Sequence, residues 1–251
     1  MKLQSRKLFI PYFPLGYPSL EASIDVIEAL AKNGADIVEI GMSFSDPLAD
    51  GPVIQQATQI ALEQGITLEK TLQAVETLRN RQVNTPLVLM GYYNPLLAFG
   101  LARFMQRCRQ LQIAGLIIPD LPIEEADELR AELGDIPLIQ MIAPTTPADR
   151  IADLAPAAGG FIYLVSITGI TGSGNSFSTA LPQLIAEIRV HSSLPVCIGF
   201  GINSTQKAQE MSALADGVIV GTHLIREIGK SPSPALAAAS LARQFRAALG
   251  G

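Results

Sequence analysis

The acidic residues that could do chemistry lie close together in one stretch, DIVEIGMSFSDPLADGP, at residues 36–52. Glu39 interrupts an apolar run between Val38 and Ile40, and with a period of two it shares a strand face with Ile37. If that face is the interior of a barrel, burial raises the pKa of the carboxyl toward neutrality, where it can act as a general acid and base. If it is the opposite face, Glu39 pairs with a helix lysine and has a structural role.

Two further carboxylates, Asp46 and Asp50, follow in the loop segment SDPLADG. Two carboxylates that converge on one substrate can divide the work, because the less solvated one moves protons while the other stays ionised and accepts a hydrogen bond. Asp before Pro and Asp before Gly are also ordinary turn residues, so a structural interpretation of this loop stays open.

Two glycine-containing turns follow apolar runs late in the chain, GFG at residues 199–201 and GTH at residues 221–223. Glycine lets the backbone N–H groups at a helix start approach phosphate oxygens, which a Cβ would hold away. Either turn alone could be a left-handed turn. Together, at the ends of the last two strands of a barrel, they predict a phosphate site that includes Gly201, Gly221 and Thr222.

The segment SITGITGSGNSFS at residues 166–178 is rich in glycine, hydroxyl and amide residues. Such a segment is typical of a loop that closes over a substrate and excludes water. An ordinary surface loop is the alternative.

The remaining reactive residue types exclude several chemistries. Cys108 and Cys197 are the only cysteines, and Cys108 falls on a helical apolar stripe, as a core residue would. No spacing of histidine, cysteine and carboxylate residues suggests a metal site. No lysine interrupts a predicted strand, which argues against an aldolase that works through a Schiff base.

The elements that must position these residues follow from eight continuously apolar runs, as expected of parallel strands covered on both faces. Helical patterns separate them, with start signals at Ser19, Thr67 and Ser204 and a further pattern, IEEADELRAEL, after Pro122. The runs are Phe9–Phe13, Asp36–Ile40, Pro86–Met90, Gly115–Ile118, Pro137–Met141, Phe161–Val165, Pro195–Ile198 and Gly217–Val220.

This arrangement predicts an α/β fold, a single (β/α)8 TIM barrel over residues 1–251. The longest gap, between the second and third runs, holds an extra helix, VIQQATQIALEQ. A doubly wound open sheet is the alternative, but LGYP after the first run is not the glycine-rich turn of that fold.

Composition limits the partners and the location. The chain has 251 residues, a net charge of −5 and no cluster of basic residues, so a nucleic-acid partner is not expected. No apolar stretch reaches the roughly 18 residues of a membrane span. The apolar run near the N-terminus is broken by Pro11 and Pro14, unlike a secretory signal. We therefore expect a soluble cytoplasmic protein.

Several motifs together resemble the tryptophan synthase alpha subunit family, over residues 9–248. The most specific is FSDPLADGP with a glutamate just upstream, at Glu39. The others are FIPYF in the first run, YYNP at Tyr92–Pro95, GLIIPDLPIEEA, APTTP at Ala143–Pro147, YLVS-TG-TG from Tyr163, and GFGI.

The resemblance implies reversible retro-aldol cleavage of indole-3-glycerol phosphate to indole and D-glyceraldehyde 3-phosphate. It assigns Glu39 as the acid/base residue and Asp50 as the aspartate near the indole nitrogen. By the same resemblance Thr171 engages the catalytic aspartate on loop closure and Tyr163 contacts the substrate. The implied phosphate site is Gly172, Gly201 and Gly221 with Thr222 beside them, and the implied indole slot is lined by Tyr12, Ile54, Met90, Ile117 and Phe200.

The resemblance also implies a partner, a tryptophan synthase beta subunit in an alpha-beta-beta-alpha assembly, with Asp46 and Pro47 in the loop that faces it. Pyridoxal phosphate is expected only in that beta subunit, and no cofactor or metal in this chain. The chain departs from the family at Ser43, where Pro is common, and after Gly172, where a charged residue is often found.

Three other functions remain open at this point. A stand-alone lyase would release free indole. A phosphosugar isomerase or epimerase on a similar barrel would keep the phosphate glycines but would not need SDPLADG. A regulatory subunit would bind the ligand without cleaving it.

Overall fold

Eight parallel strands pair in chain order and close into a barrel, with the last strand hydrogen-bonded back to the first. The computed structural model describes residues 6–166 and 176–250. Each strand overlaps one of the eight predicted runs, and the predicted TIM barrel is confirmed. The strands are β1 (Leu8–Pro14), β2 (Val38–Gly41), β3 (Leu87–Met90), β4 (Gly115–Ile117), β5 (Leu138–Ile142), β6 (Ile162–Val165), β7 (Val196–Gly199) and β8 (Gly217–Val220).

Helices follow each strand and cover the outside of the barrel. Three of the predicted start signals cap their helices, since the side chains of Ser19, Thr67 and Ser204 accept backbone N–H groups three residues on. The helices are α1 (Leu20–Lys32), α2 (Pro52–Glu63), α3 (Leu68–Asn80), α4 (Tyr93–Phe99), α5 (Leu101–Gln110), α6 (Asp127–Leu133), α7 (Ala148–Ala157), α8 (Ser176–His191), α9 (Thr205–Leu214), α10 (Thr222–Gly229) and α11 (Pro234–Ala248).

The additional helices only partly follow the prediction. The extra helix in the loop after β2 is confirmed as α2, but β3 and β8 are also followed by two helices each. The continuous helix expected after Pro122 is wrong at its start. Ile123–Glu125 is a 3-10 turn closed by a bond from the Ala126 N–H to the Ile123 carbonyl, and α6 begins only at Asp127.

The strands are buried on both faces, because helices cover one face and the side chains of the barrel interior fill the other. Neighbouring strands align Tyr12 with Glu39 and Tyr163 with Cys197. Residues in register on adjacent strands point the same way, so Glu39 and Tyr12 lie side by side near the carboxyl ends of their strands.

A buried ion pair lies at the end of the barrel where the strands begin. Arg246 of α11 donates to Asp36, just before β2, at 2.7 Å, and both side chains are about nine-tenths buried. Asp36 also accepts the backbone N–H of Phe9 at 2.8 Å. The pair therefore ties the last helix to the first two strands. No helix in the described ranges has the length and the apolar character needed to cross a membrane.

Candidate active site

A cavity of about 740 Å³ opens at the carboxyl ends of the strands, within the range typical of small-molecule sites. It brings together residues from the loops after β2, β7 and β8 with side chains of the barrel interior. The lining residues are Tyr12, Glu39, Asp50, Gly51, Pro52, Ile54, Met90, Tyr163, Phe200, Gly201, Ile202, Asn203, Lys207, Ile219, Gly221, Thr222, His223 and Arg226.

Glu39 lies at the bottom of this cavity and is 1% exposed. Neither carboxylate oxygen has a hydrogen-bond partner among the described residues. Burial, and after it the charge of Asp50, raise its pKa to about 8. The interpretation that Glu39 pairs with a helix lysine is therefore wrong. The side chain lies on the interior face that its alternation with Ile37 allowed.

Asp50 faces the same cavity from the loop between β2 and α2. Burial raises its pKa to about 6, and a side-chain hydrogen bond with Tyr92 partly offsets that rise. The loop is held on both sides of Asp50. The Ala49 N–H donates to the Tyr92 hydroxyl at 3.0 Å, and the Gln55 side chain donates to the Asp50 carbonyl at 2.8 Å. The environment thus favours the protonated form of Glu39 more strongly than that of Asp50.

Two buried tyrosines, Tyr12 and Tyr163, line the cavity, and each depends on a neighbouring glycine. A Cβ at Gly41 would collide with the Tyr12 phenol, and a Cβ at Gly199 would collide with the Tyr163 phenol. Burial raises the pKa of both phenols well above the usual value. Both hydroxyls therefore stay protonated at neutral pH and can donate hydrogen bonds.

The predicted apolar slot is only partly built as expected. Ile54, Met90 and Phe200 line the cavity, and Phe200 packs edge-on against Tyr163 with ring centroids 6.3 Å apart. Ile117 is wholly buried, aligned with Met90 on the neighbouring strand, and is not among the lining residues. It can bound the slot only from behind the first layer of side chains.

The predicted phosphate residues Gly201, Gly221 and Thr222 line the same cavity. Helix α10 begins at Thr222, and the residue before it, Gly221, has no side chain that could cap the helix. The N–H groups of the first turn are therefore free of a side-chain cap. Phe200 has φ +73° in the turn before Gly201. Such a conformation is costly for a non-glycine residue, and Ser166 stabilises the turn by donating to the Phe200 carbonyl at 2.7 Å.

The side chains that sequence reasoning missed come from the ends of the same elements. Tyr92 begins the turn after β3 and lies close to Asp50, and its only sequence signal is the family motif YYNP. Lys207 in the first turn of α9 and Arg226 in the last turn of α10 also line the cavity, together with His223 of the GTH turn. The start signal at Ser204 could have located Lys207, because first-turn residues near a strand end face the barrel mouth.

The other predicted site residues lie outside the cavity or outside the described part of the chain. Asp46 is exposed and Pro47 half-buried, in a loop whose Leu48 is 80% exposed. Thr171 and Gly172 lie outside the described residues, as does most of the loop that contains them. Within the described residues no group of three histidine, cysteine or carboxylate side chains could hold a metal ion.

Comparison with known proteins identifies the family. The sequence model of the tryptophan synthase alpha chain family matches residues 1–248. The chain belongs to the tryptophan synthase alpha chain family. The predicted family and the predicted lyase activity, the alpha reaction of tryptophan biosynthesis, are therefore confirmed. The roles of individual residues remain predictions.

Individual members of the family align over nearly their whole length. The alpha chain of Chloroflexus aurantiacus is 45% identical over 92% of this chain and 88% of its own. That of Lactiplantibacillus plantarum is 44% identical over 99% of this chain and 94% of its own. Among solved structures, the alpha subunit from Campylobacter jejuni superposes with a TM-score of 0.88 at 34% identity, covering 97% of both chains. A tryptophan synthase crystal structure from M. tuberculosis in an aminoacrylate-bound form gives 0.87 at 32% identity, covering 97% of this chain and 94% of that one.

Proposed function

We propose that the chain cleaves indole-3-glycerol phosphate reversibly to indole and D-glyceraldehyde 3-phosphate, with Glu39 as general acid and base. One observation carries the proposal. A wholly buried, unpaired carboxyl and a second, half-buried carboxyl line one cavity together with the uncapped first turn of α10. A substrate that carries an indole ring and a phosphate matches this set of groups.

Glu39 moves the protons of the reaction. Because its pKa is raised to about 8, the carboxyl is protonated at neutral pH and can deliver its proton to C3 of the indole ring. The carbon–carbon bond then breaks as the adjacent hydroxyl becomes the aldehyde of glyceraldehyde 3-phosphate. The Glu39 carboxylate takes the hydroxyl proton and returns to its starting state, so no net proton is gained or lost.

Asp50 stabilises the charge that develops. Protonation at C3 makes the ring nitrogen positive, and an ionised Asp50 can accept a hydrogen bond from that N–H. With its pKa raised only to about 6, Asp50 is mostly ionised where Glu39 is mostly protonated. Two carboxyls whose pKa values are pushed apart can take the two roles at one pH. Electrostatic stabilisation of this kind lowers the barrier by a few kcal/mol.

The walls of the cavity would orient the substrate between the two carboxyl groups and the glycine turns. Ile54, Met90 and Phe200 offer apolar surface to the indole ring, with Ile117 behind them. The phenol of Tyr163 would contact the glycerol chain. Backbone N–H groups at Gly201, Gly221 and Thr222 would bind the phosphate, as helix starts commonly do. By family resemblance, Thr171 and Gly172 complete the site from the loop after β6.

The chain itself needs no cofactor for this reaction, because a proton donor, an anion and a phosphate site suffice. Pyridoxal phosphate would be bound only by a beta subunit. The surface for that subunit is the loop after β2, which contains Asp46 and Pro47. A groove of about 360 Å³ at this loop is lined by Pro47, Phe44 and Pro52 together with serine, threonine and glutamine residues. Leu48, 80% exposed, is the apolar residue that a partner would cover there. The expected assembly is alpha-beta-beta-alpha.

The proposal extends to the organisation and location of the chain. Residues 1–251 would act as one TIM-barrel domain, because strand pairing runs without interruption from β1 to β8 and back. A single cooperative unfolding transition by two optical probes would support one domain, and two separated transitions would contradict it. An enzyme of amino-acid biosynthesis is expected in the cytoplasm, which fractionation of the source cells tests.

The test of the function is indole release from indole-3-glycerol phosphate by the purified chain, with and without a cognate beta subunit. We expect release by the chain alone and a faster rate with the partner. Absence of stimulation would favour a stand-alone lyase. Binding of the substrate without release of indole in either condition would favour a regulatory subunit. Turnover of phosphosugars without release of indole would favour an isomerase or epimerase.

A further inference from the structure

Two basic side chains line the same cavity as the residues proposed to bind the phosphate. Arg226 of α10 and Lys207 of α9 are both lining residues, together with Gly201, Gly221 and Thr222. The carboxyl groups of Glu39 and Asp50 line this cavity as well. The cavity therefore contains basic as well as acidic side chains, although the chain as a whole has a net charge of −5.

The helix geometry explains why Arg226 faces the cavity. Thr222 is the first residue of α10, and Arg226 follows it by four residues, so the two share one face of the helix. Side chains on a helix lean toward its N-terminus. Arg226 lies in the last turn of the short helix α10, and this lean directs its side chain toward the start of the helix, where the phosphate would bind.

The surrounding charges leave Arg226 available. Lys207 is paired with Glu210 at 3.0 Å, which partly neutralises it. The adjacent acid on α10, Glu227, is paired with Lys230 at 2.9 Å. Arg226 itself takes part in no ion pair among the residues that the structure describes, and its side chain is exposed at the cavity rim. An arginine that is already positioned but unpaired can bind phosphate through two parallel hydrogen bonds.

We propose that Arg226 is a side-chain ligand of the substrate phosphate, with Lys207 in a weaker supporting role, in addition to the backbone groups of the glycine turns. This inference rests on the proposed function, since it assigns a second set of contacts to the same substrate. Arg226 and Lys207 would favour binding of the doubly charged phosphate and guide it toward the glycine turns. Binding would then weaken as salt screens the rim charges.

The test compares Arg226→Gln with Lys230→Gln, which removes one positive charge from the same end of α10 but does not line the cavity. Binding of inorganic phosphate and of indole-3-glycerol phosphate is measured by calorimetry, and indole-3-propanol serves as a probe without phosphate. We expect Arg226→Gln to weaken both phosphate ligands about five- to tenfold at low salt, with the effect on KM rather than kcat. Lys207→Gln should weaken them about two- to threefold.

Further readouts distinguish a direct contact from a general effect. Arg226→Lys should recover part of the lost affinity, and binding of indole-3-propanol should change less than twofold in all variants. Phosphate binding within twofold of the parent in Arg226→Gln would overturn the inference, as would an equal loss in Lys230→Gln. If the parent chain binds phosphate in the expected way but releases no indole, the proposed function fails while the assignment of Arg226 stands.

Discussion

The Tyr92 hydroxyl accepts a hydrogen bond from the Ala49 backbone N–H at 3.0 Å and ties the residue before Asp50 to the turn after β3. The same hydroxyl lies close enough to the Asp50 side chain to lower the pKa of that carboxyl, and the Tyr92 ring packs against Phe44 with centroids 5.5 Å apart. A residue more than forty positions away along the chain thus controls both the place and the charge of one carboxyl of the site.

Removing that hydroxyl tests this control. Tyr92→Phe should lower kcat/KM about tenfold, because the Asp50 loop loses its anchor and its carboxylate loses a donor. A hydrogen bond to the ionised form lowers a pKa, so its loss should move the pKa of Asp50 above about 6. The acid limb of the pH profile should then shift to higher pH. An unchanged acid limb with reduced activity would contradict a direct effect on Asp50.

The parent enzyme should itself show a bell-shaped profile of kcat/KM. Activity requires Asp50 ionised and Glu39 protonated, so it should fall below about pH 6 and above about pH 8. The alkaline limb is the more specific readout, because the phosphate of the substrate also titrates near pH 6. Rates measured from pH 5 to pH 10 give the profile. Activity that rises steadily through pH 9 would exclude a protonated Glu39 as the proton donor.

Glu39 should also make the fold less stable as the pH rises. Its pKa is about 8 in the folded chain against 4.5 when exposed, so between these values the folded state holds a proton that the unfolded state has lost. The contribution is neutral below about pH 4 and unfavourable by pH 8. Glu39→Gln should therefore match the parent in free energy of unfolding at pH 4 and exceed it by on the order of 4 kcal/mol at pH 8. Denaturant titrations of both proteins at each pH check this, and a constant difference across the range would contradict it.

The buried pair at the opposite end of the barrel should matter for stability and not for chemistry. Asp36→Ala leaves the buried Arg246 without its partner and should cost about 3 kcal/mol of unfolding free energy. The matched control is Asp25→Ala, which breaks an exposed pair with Arg81 and should cost less than about 1 kcal/mol. Indole release per folded molecule should be unchanged in both. Equal losses of unfolding free energy in the two variants would contradict the larger contribution expected of the buried Asp36 pair.

The sequence predicts the framework of this site better than its details. The strand positions follow from apolar runs, and the inward direction of Glu39 follows from its alternation with Ile37. The depth of Ile117 could not be predicted, because it depends on how β3 and β4 align. The contact between Tyr92 and Asp50 joins two loops, and no local pattern specifies their separation. Arg226 faces the cavity because α10 starts at Thr222, directly after β8 and Gly221. The sequence marks this boundary only by that glycine.

The measurement that tests the account most directly is indole release by Glu39→Gln and Asp50→Asn, with Glu125→Gln as a control that lies outside the cavity. Each cavity variant should bind indole-3-glycerol phosphate within a fewfold of the parent but release indole at least about a hundredfold more slowly, because the proton donor or the stabilising anion is gone. The control should keep the parent rate. If the parent is active and Glu39→Gln releases indole within tenfold of its rate, Glu39 is not the acid and base of this reaction.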